Sequence, residues 1–140
     1  MKSSKKINSY TGIQDLIEFD KLNKYNRQII KFFEDKLTVG QDMKVLDFGG
    51  GIGTLSEIIR KFYFINPDVF EIDESCLEYL NKKNLNSYND LSQLKKNSYD
   101  IVFLSNVLEH IEDDKNAINI CYELLKPNGI LFIFVPAFNL

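Results

Sequence analysis

The chain has 140 residues, of which 44% are hydrophobic, 26% charged and 13% aromatic. This length fits one domain, since domains commonly have roughly 100–200 residues. The composition excludes a disordered tail, a collagen-like repeat and a disulfide-held scaffold, because each of these has a strongly biased composition. We therefore expect residues 1–140 to form a single domain with a packed core, and residues 1–12 to be disordered.

Charge and cysteine content narrow the class of protein. The net charge of −3, from 17 basic and 20 acidic residues, argues against a nucleic-acid partner. Cys76 and Cys121 are far apart and His110 is the single histidine, so no metal is expected. The start of the chain has no signal-peptide pattern, and the longest apolar run, Ile130–Phe138, is far shorter than the ~20 residues of a membrane helix. We expect a cytoplasmic protein with no membrane span, its cysteines buried and reduced.

Predicted helices and strands alternate along the chain. Apolar residues recur every three or four positions between Asp15 and Leu37, which predicts a long N-terminal helix at about residues 13–38. The predicted strands that follow are Lys44–Asp47, Val69–Asp73, a weak one at Asn86–Asp90, Tyr99–Leu104 and Ile130–Val135. Three predicted helices lie at Leu55–Phe62, at Ser75–Lys83 with Asp73 or Ser75 as its cap, and at Asp114–Leu125, with Lys126–Gly129 as a break after the last. This order predicts an α/β fold with a parallel sheet covered by helices on both faces.

Four glycines in five positions, Gly49–Gly53, follow the first predicted strand. Glycine is needed where the backbone turns sharply or approaches a ligand closely. The dinucleotide pattern G-x-G-x-x-G fails in both frames, and no Gly-Lys-Ser/Thr of a P-loop follows. Asp47, at the end of the strand, would repel a pyrophosphate and would favour a ligand that carries a cation. Counted from Asp47, the pattern is D-x-G-x-G-x-G, with glycines at Gly49, Gly51 and Gly53.

The segment Val45-Leu-Asp-Phe-Gly-Gly-Gly-Ile-Gly53 resembles motif I of the class I S-adenosylmethionine-dependent methyltransferases. Three further segments resemble later motifs of this family in the right order: Val69-Phe-Glu-Ile-Asp-Glu-Ser75, Tyr99-Asp-Ile-Val-Phe-Leu-Ser-Asn-Val-Leu-Glu-His-Ile-Glu-Asp113 and Leu124-Leu-Lys-Pro-Asn-Gly-Ile-Leu131. The resemblance spans roughly residues 40–138 and is strongest to the type 11/12 group. It implies a Rossmann-like three-layer sandwich with a mostly parallel central sheet.

The resembled fold has seven strands, and five can be placed in this sequence. Strands 6 and 7 are therefore expected to be missing, with the chain truncated after the fifth strand. Ile130–Val135 would then be an exposed apolar edge, for which a homodimer or another partner would provide cover.

The resemblance implies S-adenosyl-L-methionine as cofactor, bound at the carboxyl ends of the strands. Asp47 would face the methionyl ammonium, and the three alternate glycines would let the chain pass close under the cofactor. Asp73 would accept both ribose hydroxyls, with Glu71 as its rival; Asp73 is favoured because it lies nearer the predicted strand end.

Other positions keep two interpretations each. Asp90 and Leu91 either contact the adenine, as the resemblance implies, or form an ordinary polar turn. Asn106 would touch the methionyl part or line the acceptor pocket. His110 is either a general base, the one catalytic candidate, or a residue that packs in the turn after the fourth strand.

These observations predict methyl transfer from S-adenosylmethionine to an unidentified small-molecule, lipid or sugar acceptor. The protein's part in such a reaction is alignment and desolvation. Two alternatives stay open. One is a fragment that binds the cofactor but is catalytically incomplete, and the other is a nucleotide-binding domain of the NAD type.

Overall fold

The computed structural model describes residues 12–14, 17, 23–39 and 42–137. The helices are α1 (Asn23–Lys31), α2 (Thr54–Tyr63), α3 (Glu74–Lys82) and α4 (Asp114–Leu124). The strands are β1 (Val45–Phe48), β2 (Asp68–Phe70), β3 (Asn86–Tyr88), β4 (Tyr99–Ser105) and β5 (Leu125–Phe134). Short 3-10 turns lie at Glu34–Lys36, Leu91–Gln93 and Leu108–His110. The expectation of disorder at residues 1–12 falls outside the described residues, except at Gly12, which is helical.

The five strands form one sheet in the order β3-β2-β1-β4-β5, and every neighbouring pair is parallel. This confirms the predicted α/β fold with a parallel sheet. The chain runs outward from β1 to β3 and then returns to the other side of β1 with β4. At such a reversal the loops after neighbouring strands diverge, and ligands of open α/β sheets bind in the crevice that results.

The core lies on both faces of the sheet. Val45, Ile101 and Phe103 pack in one cluster with side chains of α1 and α2. The residues next to them along the strands, such as Leu46 and Val102, pack with α4 on the opposite face. Successive strand side chains point to opposite faces, so the predicted three layers follow directly from the apolar runs of β1 and β4.

The N-terminal helix ends earlier than predicted. Helix α1 stops at Lys31, and Glu34–Lys36 form a 3-10 turn where the sequence predicted a helix to residue 38. Phe33 leaves the helical conformation with φ −130° and ψ 10°. Its buried ring lies 5.3 Å from the ring of Phe103 and 4.9 Å from that of Phe132, centroid to centroid. Packing onto the sheet therefore outweighs the helical pattern of the sequence here.

Two strand boundaries also differ from the prediction. Strand β2 ends at Phe70, so that residues 71–73 follow the strand where the sequence placed its last residues. Strand β5 begins at Leu125, so the predicted break at residues 126–129 lies within it. Tyr99 pairs with Leu125 and Ile101 with Ile130, so residues 126–129 of β5 lie in a bulge between these two pairs. Regular pairing begins at Ile130, where the sequence predicted the strand to start.

Candidate functional site

The glycine loop joins β1 to α2 at the carboxyl edge of the sheet. The backbone N–H groups of Gly49 and Gly50 donate to the carbonyl oxygen of Phe70 at 2.7 and 3.3 Å, which ties the loop to the end of β2. Gly49, Gly51 and Gly53 have φ values of +78°, +58° and +82°. These are the alternate glycines of the predicted pattern, and their conformation is one that other L-residues rarely adopt.

Close packing is a second reason for two of these glycines. A Cβ atom on Gly53 would lie 2.5 Å from Cδ1 of Leu85 and 2.7 Å from Cδ2 of Leu80. A Cβ on Gly49 would lie 2.6 Å from Cγ1 of Val107, just beyond β4. The loop is therefore held tightly between the segments that follow β2 and β4.

Asp47 is buried beside this loop, with 2% of its surface exposed. The Ser56 hydroxyl, on the first turn of α2, donates to Oδ2 of Asp47 at 2.8 Å. Burial raises the pKa of Asp47 to about 7; the hydrogen bond from Ser56 opposes this rise and the nearby negative charge of Glu71 adds to it. A cation next to this carboxylate would favour its ionised form. The site therefore favours a ligand with a positively charged group.

Ser56 was not identified by the sequence analysis. It lies one turn before the buried Ile59 and is itself fully buried, so it is a polar residue within the apolar stripe of α2. That position in the stripe was the available signal, since buried hydroxyl groups are usually hydrogen-bonded.

Glu71 is the first residue after β2, and its carboxylate lies against the glycine loop. The Gly51 N–H donates to Oε2 at 2.8 Å, and the Asp73 N–H donates to Oε1 at 3.0 Å. These two backbone donors fix the orientation of the carboxylate. Each carboxylate oxygen can accept a further hydrogen bond.

Asp73 begins helix α3, as one of the two predicted caps. Its Oδ1 accepts from the Ser75 backbone N–H at 2.9 Å and from the Ser75 hydroxyl at 2.6 Å. Asp and Ser at helix starts satisfy backbone N–H groups that have no partner within the helix. The Asp73 carboxylate is therefore engaged at the helix start, and its predicted ribose contact stays a prediction.

Asp90 and Leu91 lie in a turn after β3. Oδ1 of Asp90 accepts from the Ser92 N–H at 2.8 Å, and the Gln93 side chain accepts from the Asp90 N–H at 3.1 Å. This reciprocal arrangement is a capping box. Hydrogen bonds from Ser92 lower the pKa of Asp90, and the bond from the backbone N–H contributes more than the one from the side chain. The turn therefore has a structural purpose of its own, and the predicted adenine contact stays a prediction.

Two large apolar side chains beside these acids face solvent. Ile72 follows Glu71 and is 72% exposed, and Leu91 follows Asp90 and is 39% exposed. Strands β2 and β3 are paired neighbours, so both residues lie beyond the carboxyl ends of adjacent strands. They provide apolar surface at this edge of the sheet.

Asn106 follows β4 and ties it to the end of β5. Its backbone N–H donates to the Phe134 carbonyl oxygen at 2.8 Å, and its Nδ2 lies 3.5 Å from the Ser105 Oγ. Its φ is +56°, a conformation that is uncommon outside glycine but more frequent for Asn. The ends of β4 and β5 are thus held together next to Val107 and the glycine loop.

His110 lies at the end of the 3-10 turn after β4. Its side chain is 78% exposed, and Nε2 lies 3.6 Å from Oε1 of the adjacent Glu109. The backbone N–H of His110 donates to the Val107 carbonyl oxygen at 2.9 Å. The imidazole therefore faces solvent, and a general-base role stays a prediction.

An apolar cavity of about 240 Å³ lies on the side of β4 away from the glycine loop, between α1 and the carboxyl ends of β4 and β5. It is lined by Ile29, Phe32, Phe33, Phe103, Leu104, Ser105, Phe132, Ile133 and Phe134. No local sequence pattern indicates this cavity, because it depends on the contact of α1 with strands that lie some seventy residues or more along the chain.

The described part of the chain has neither a metal-binding cluster nor a membrane-spanning helix. Residues 12–14, 17, 23–39 and 42–137 contain no group of three His, Cys, Asp or Glu side chains arranged to hold a metal ion. None of the helices within these ranges is long and apolar enough to cross a membrane.

Comparison with known proteins identifies the family of this chain. A family model described as "Methyltransferase domain" matches residues 19–139. The ubiquinone biosynthesis O-methyltransferase of Coxiella burnetii is 32% identical over 112 residues, which cover 74% of this chain. The chain spans 47% of the length of that protein.

Two solved structures share the fold at low sequence identity. A putative S-adenosyl-L-methionine-dependent methyltransferase from Methanococcus maripaludis has a TM-score of 0.69 at 20% identity, over 88% of this chain and 62% of that one. Phosphoethanolamine N-methyltransferase 2 of Haemonchus contortus, in complex with S-adenosylhomocysteine, has a TM-score of 0.66 at 24% identity, over 79% of this chain and 27% of that one.

The family model covers most of the chain, and the TM-scores show that both solved structures share its fold. The resemblance seen in the sequence motifs is thereby confirmed. The chain belongs to the methyltransferase domain family, and its fold is that of the class I S-adenosylmethionine-dependent methyltransferases.

Proposed function

We propose that this chain binds S-adenosylmethionine and takes part in transferring its methyl group to a small acceptor. The observation that carries this proposal is the buried Asp47 carboxylate beside a loop of left-handed glycines, at the reversal point of the sheet. The Haemonchus structure, which contains S-adenosylhomocysteine, and the family match support the choice of ligand.

The charges at this edge fit the proposed cofactor. S-adenosylmethionine carries a sulfonium and an ammonium group, and carboxylates stand at the ends of three adjacent strands: Asp47 on β1, Glu71 and Asp73 after β2, and Asp90 after β3. An ammonium beside Asp47 would offset the burial that raises its pKa to about 7. The pyrophosphate of an NAD-type ligand would be repelled by the same carboxylates. This argues for the methyltransferase cofactor over a dinucleotide.

For the ribose we propose Glu71 as the main acceptor in preference to Asp73. The Glu71 carboxylate accepts the Gly51 N–H and therefore lies at the glycine loop itself. The Asp73 carboxylate accepts two hydrogen bonds from Ser75 at the start of α3. A carboxylate held by backbone donors next to the loop is already oriented for ribose hydroxyls.

The remaining predicted contacts fit the same orientation of the ligand. We propose that Asp90 receives the adenine amine on its second carboxylate oxygen, since Oδ1 accepts from Ser92. The exposed side chains of Ile72 and Leu91 would cover the faces of the adenine ring. Asn106, between the glycine loop and the end of β5, would lie near the methionyl end.

When bound, the cofactor supplies a methyl group that is already activated by its sulfonium. The tasks of the protein are then to align the acceptor, to exclude water and to accept or pass on the acceptor's proton. His110 is the proposed group for the last task. Its exposed position means that any such role requires an acceptor bound near the 3-10 turn at residues 108–110.

A second candidate is cofactor binding without turnover by this chain alone. It is favoured by one specific observation, that the chain spans about half of the Coxiella relative. Calorimetric titration with S-adenosylhomocysteine and with NAD tests the binding step, and a methylation assay with a panel of acceptors tests turnover. Binding of NAD in place of S-adenosylhomocysteine would overturn the proposal.

The partner and location predictions also stay proposals. We propose that a second copy or another partner covers β5, which is an edge strand of the sheet among the described residues and whose Ile133 is 40% exposed. A reducing, cytoplasmic location is supported by Cys76 and Cys121, both of which are free and buried.

A further inference from the structure

The apolar cavity beside β4 has a uniform lining. Of the nine described residues that line it, eight have hydrocarbon side chains, and the ninth is Ser105, at the end of β4. None of these nine side chains carries a charge. A charged or strongly hydrated ligand would lose its hydration here without compensation, so the cavity favours an apolar guest.

The volume of the cavity limits the size of the ligand that it can hold. An engineered cavity of about 150 Å³ with a similar lining binds benzene. The volume of about 240 Å³ is larger by roughly half, which is enough for one substituted or fused ring system. A polypeptide, a nucleic acid or a whole lipid is too large to enter it.

The rings that line the cavity already adopt aromatic packing. The Phe33 and Phe132 centroids are 4.9 Å apart, and those of Phe32 and Phe134 are 5.8 Å apart. Aromatic rings prefer edge-to-face or offset contacts at 4.5–7 Å, and a flat guest can add to such a set. This favours an aromatic guest over a saturated one of the same size.

The cavity also borders the proposed cofactor site. Its polar member, Ser105, precedes Asn106, whose N–H binds the Phe134 carbonyl oxygen, and Val107 reaches to the glycine loop. The two sites are therefore separated by the end of a single strand. A ring compound in the cavity would present a substituent near Ser105 to the cofactor side.

We propose that this cavity binds the aromatic part of the methyl acceptor, a compound of one or two rings with a hydroxyl or amino group directed toward Ser105. The proposal rests on the proposed function, which supplies the methyl group. It specifies an acceptor class that the comparisons do not assign to this chain.

The experiment uses the 140-residue chain and calorimetry with three ligands. They are 2-naphthol, its saturated counterpart decahydro-2-naphthol, and the polar phosphoethanolamine. We expect 2-naphthol to bind most tightly, the saturated compound several-fold more weakly, and phosphoethanolamine not measurably. Equal affinity for the two ring compounds would overturn the aromatic assignment, and preferential binding of phosphoethanolamine would overturn the apolar one.

Variants locate the binding. Phe134→Ala and Phe32→Ala each remove one lining ring and should weaken 2-naphthol binding about threefold to tenfold. Phe32 is 69% exposed, so its truncation should leave the fold intact even if that of Phe134 does not. Tyr122→Ala is the matched control, because Tyr122 is a 77% exposed aromatic residue on α4, across the sheet. An equal effect of Phe32→Ala and Tyr122→Ala would overturn the assignment to this cavity.

Titration of the same samples with S-adenosylhomocysteine separates the two proposals. Binding of S-adenosylhomocysteine without binding of 2-naphthol would overturn the cavity proposal and leave the proposed function standing. Failure of S-adenosylhomocysteine to bind would overturn the proposed function, and the acceptor role of the cavity with it.

Discussion

Cofactor affinity should depend on pH through Asp47. Its carboxylate is buried, which raises its pKa to about 7, and the proposed ligand presents an ammonium group to it. A proton and an ammonium group compete for the same negative charge. Protonation of Asp47 should therefore weaken the binding of S-adenosylhomocysteine as the pH falls.

The size of the effect follows from that pKa. With a value of about 7, Asp47 is about 90% ionised at pH 8 and about 10% ionised at pH 6. If only the ionised form binds well, the dissociation constant rises about tenfold over these two units. Most of that change should occur below pH 7, because the ionised fraction falls only about twofold from pH 8 to pH 7 but about fivefold from pH 7 to pH 6.

Calorimetry with S-adenosylhomocysteine at pH 6, 7 and 8 measures this dependence directly. Asp47→Asn should bind about 30-fold more weakly at pH 8, because the ammonium loses its charged partner, and its affinity should not vary with pH. His110→Gln is the control for the one histidine of the chain, a residue type that ordinarily titrates near neutrality. An affinity of the unmodified protein that is constant from pH 6 to 8 would refute the reasoning, as would a pH dependence that persists in Asp47→Asn.

Three further predictions concern the same edge of the sheet. Glu71→Gln should weaken S-adenosylhomocysteine binding, measured by calorimetry, about tenfold or more. Asp73→Asn retains the helix cap and should change the affinity less than about threefold. The reverse order of effects would assign the ribose to Asp73. Gly53→Ala should lower the free energy of unfolding by about 2 kcal/mol or more, because its φ is +82° and the new Cβ would meet two leucine side chains. Gly12→Ala is its control in thermal denaturation, because no described atom beyond its own segment lies within 4 Å of the new Cβ, and equal shifts in Tm would contradict the packing argument. His110→Gln should leave S-adenosylhomocysteine affinity unchanged within about twofold, since the side chain is 78% exposed, and a large loss would place His110 in the cofactor site.

The sheet was predictable because its central strands are apolar on both faces. The run from Tyr99 to Leu104 has few interpretations other than a buried parallel strand, and β4 is found there. Local patterns also located the glycine loop and Asp47, since the turn and the acid are encoded by adjacent residues. The three alternate glycines proved to be the ones in the left-handed conformation.

Features that depend on distant contacts were not predictable in the same way. The alternation from Val69 to Asp73 continues the pattern of a strand, yet β2 ends at Phe70 and the Glu71 side chain bonds to the Gly51 N–H, 20 residues back. Pro127 and its neighbours predicted a break between the last helix and the last strand, but the register of β4 with β5 places these residues in a bulge within β5. The apolar cavity likewise arises from a helix that meets strands remote from it in sequence.

The position of β4 between two chemically different regions has a consequence for how the selectivity of this protein could evolve. On one side, β1 and β2 present carboxylates and glycines, and on the other, β5 and α1 present phenylalanine rings. Adjacent strands are only ~4.8 Å apart. The proposed cofactor on one side of β4 and the proposed acceptor on the other would therefore be within reach of each other without any domain movement. If the cavity holds the acceptor as proposed, substitutions along β5 would alter which compound is selected while the residues after β1 and β2 stay as they are. Under that proposal, β5 is the strand at which directed evolution would seek new acceptor selectivity.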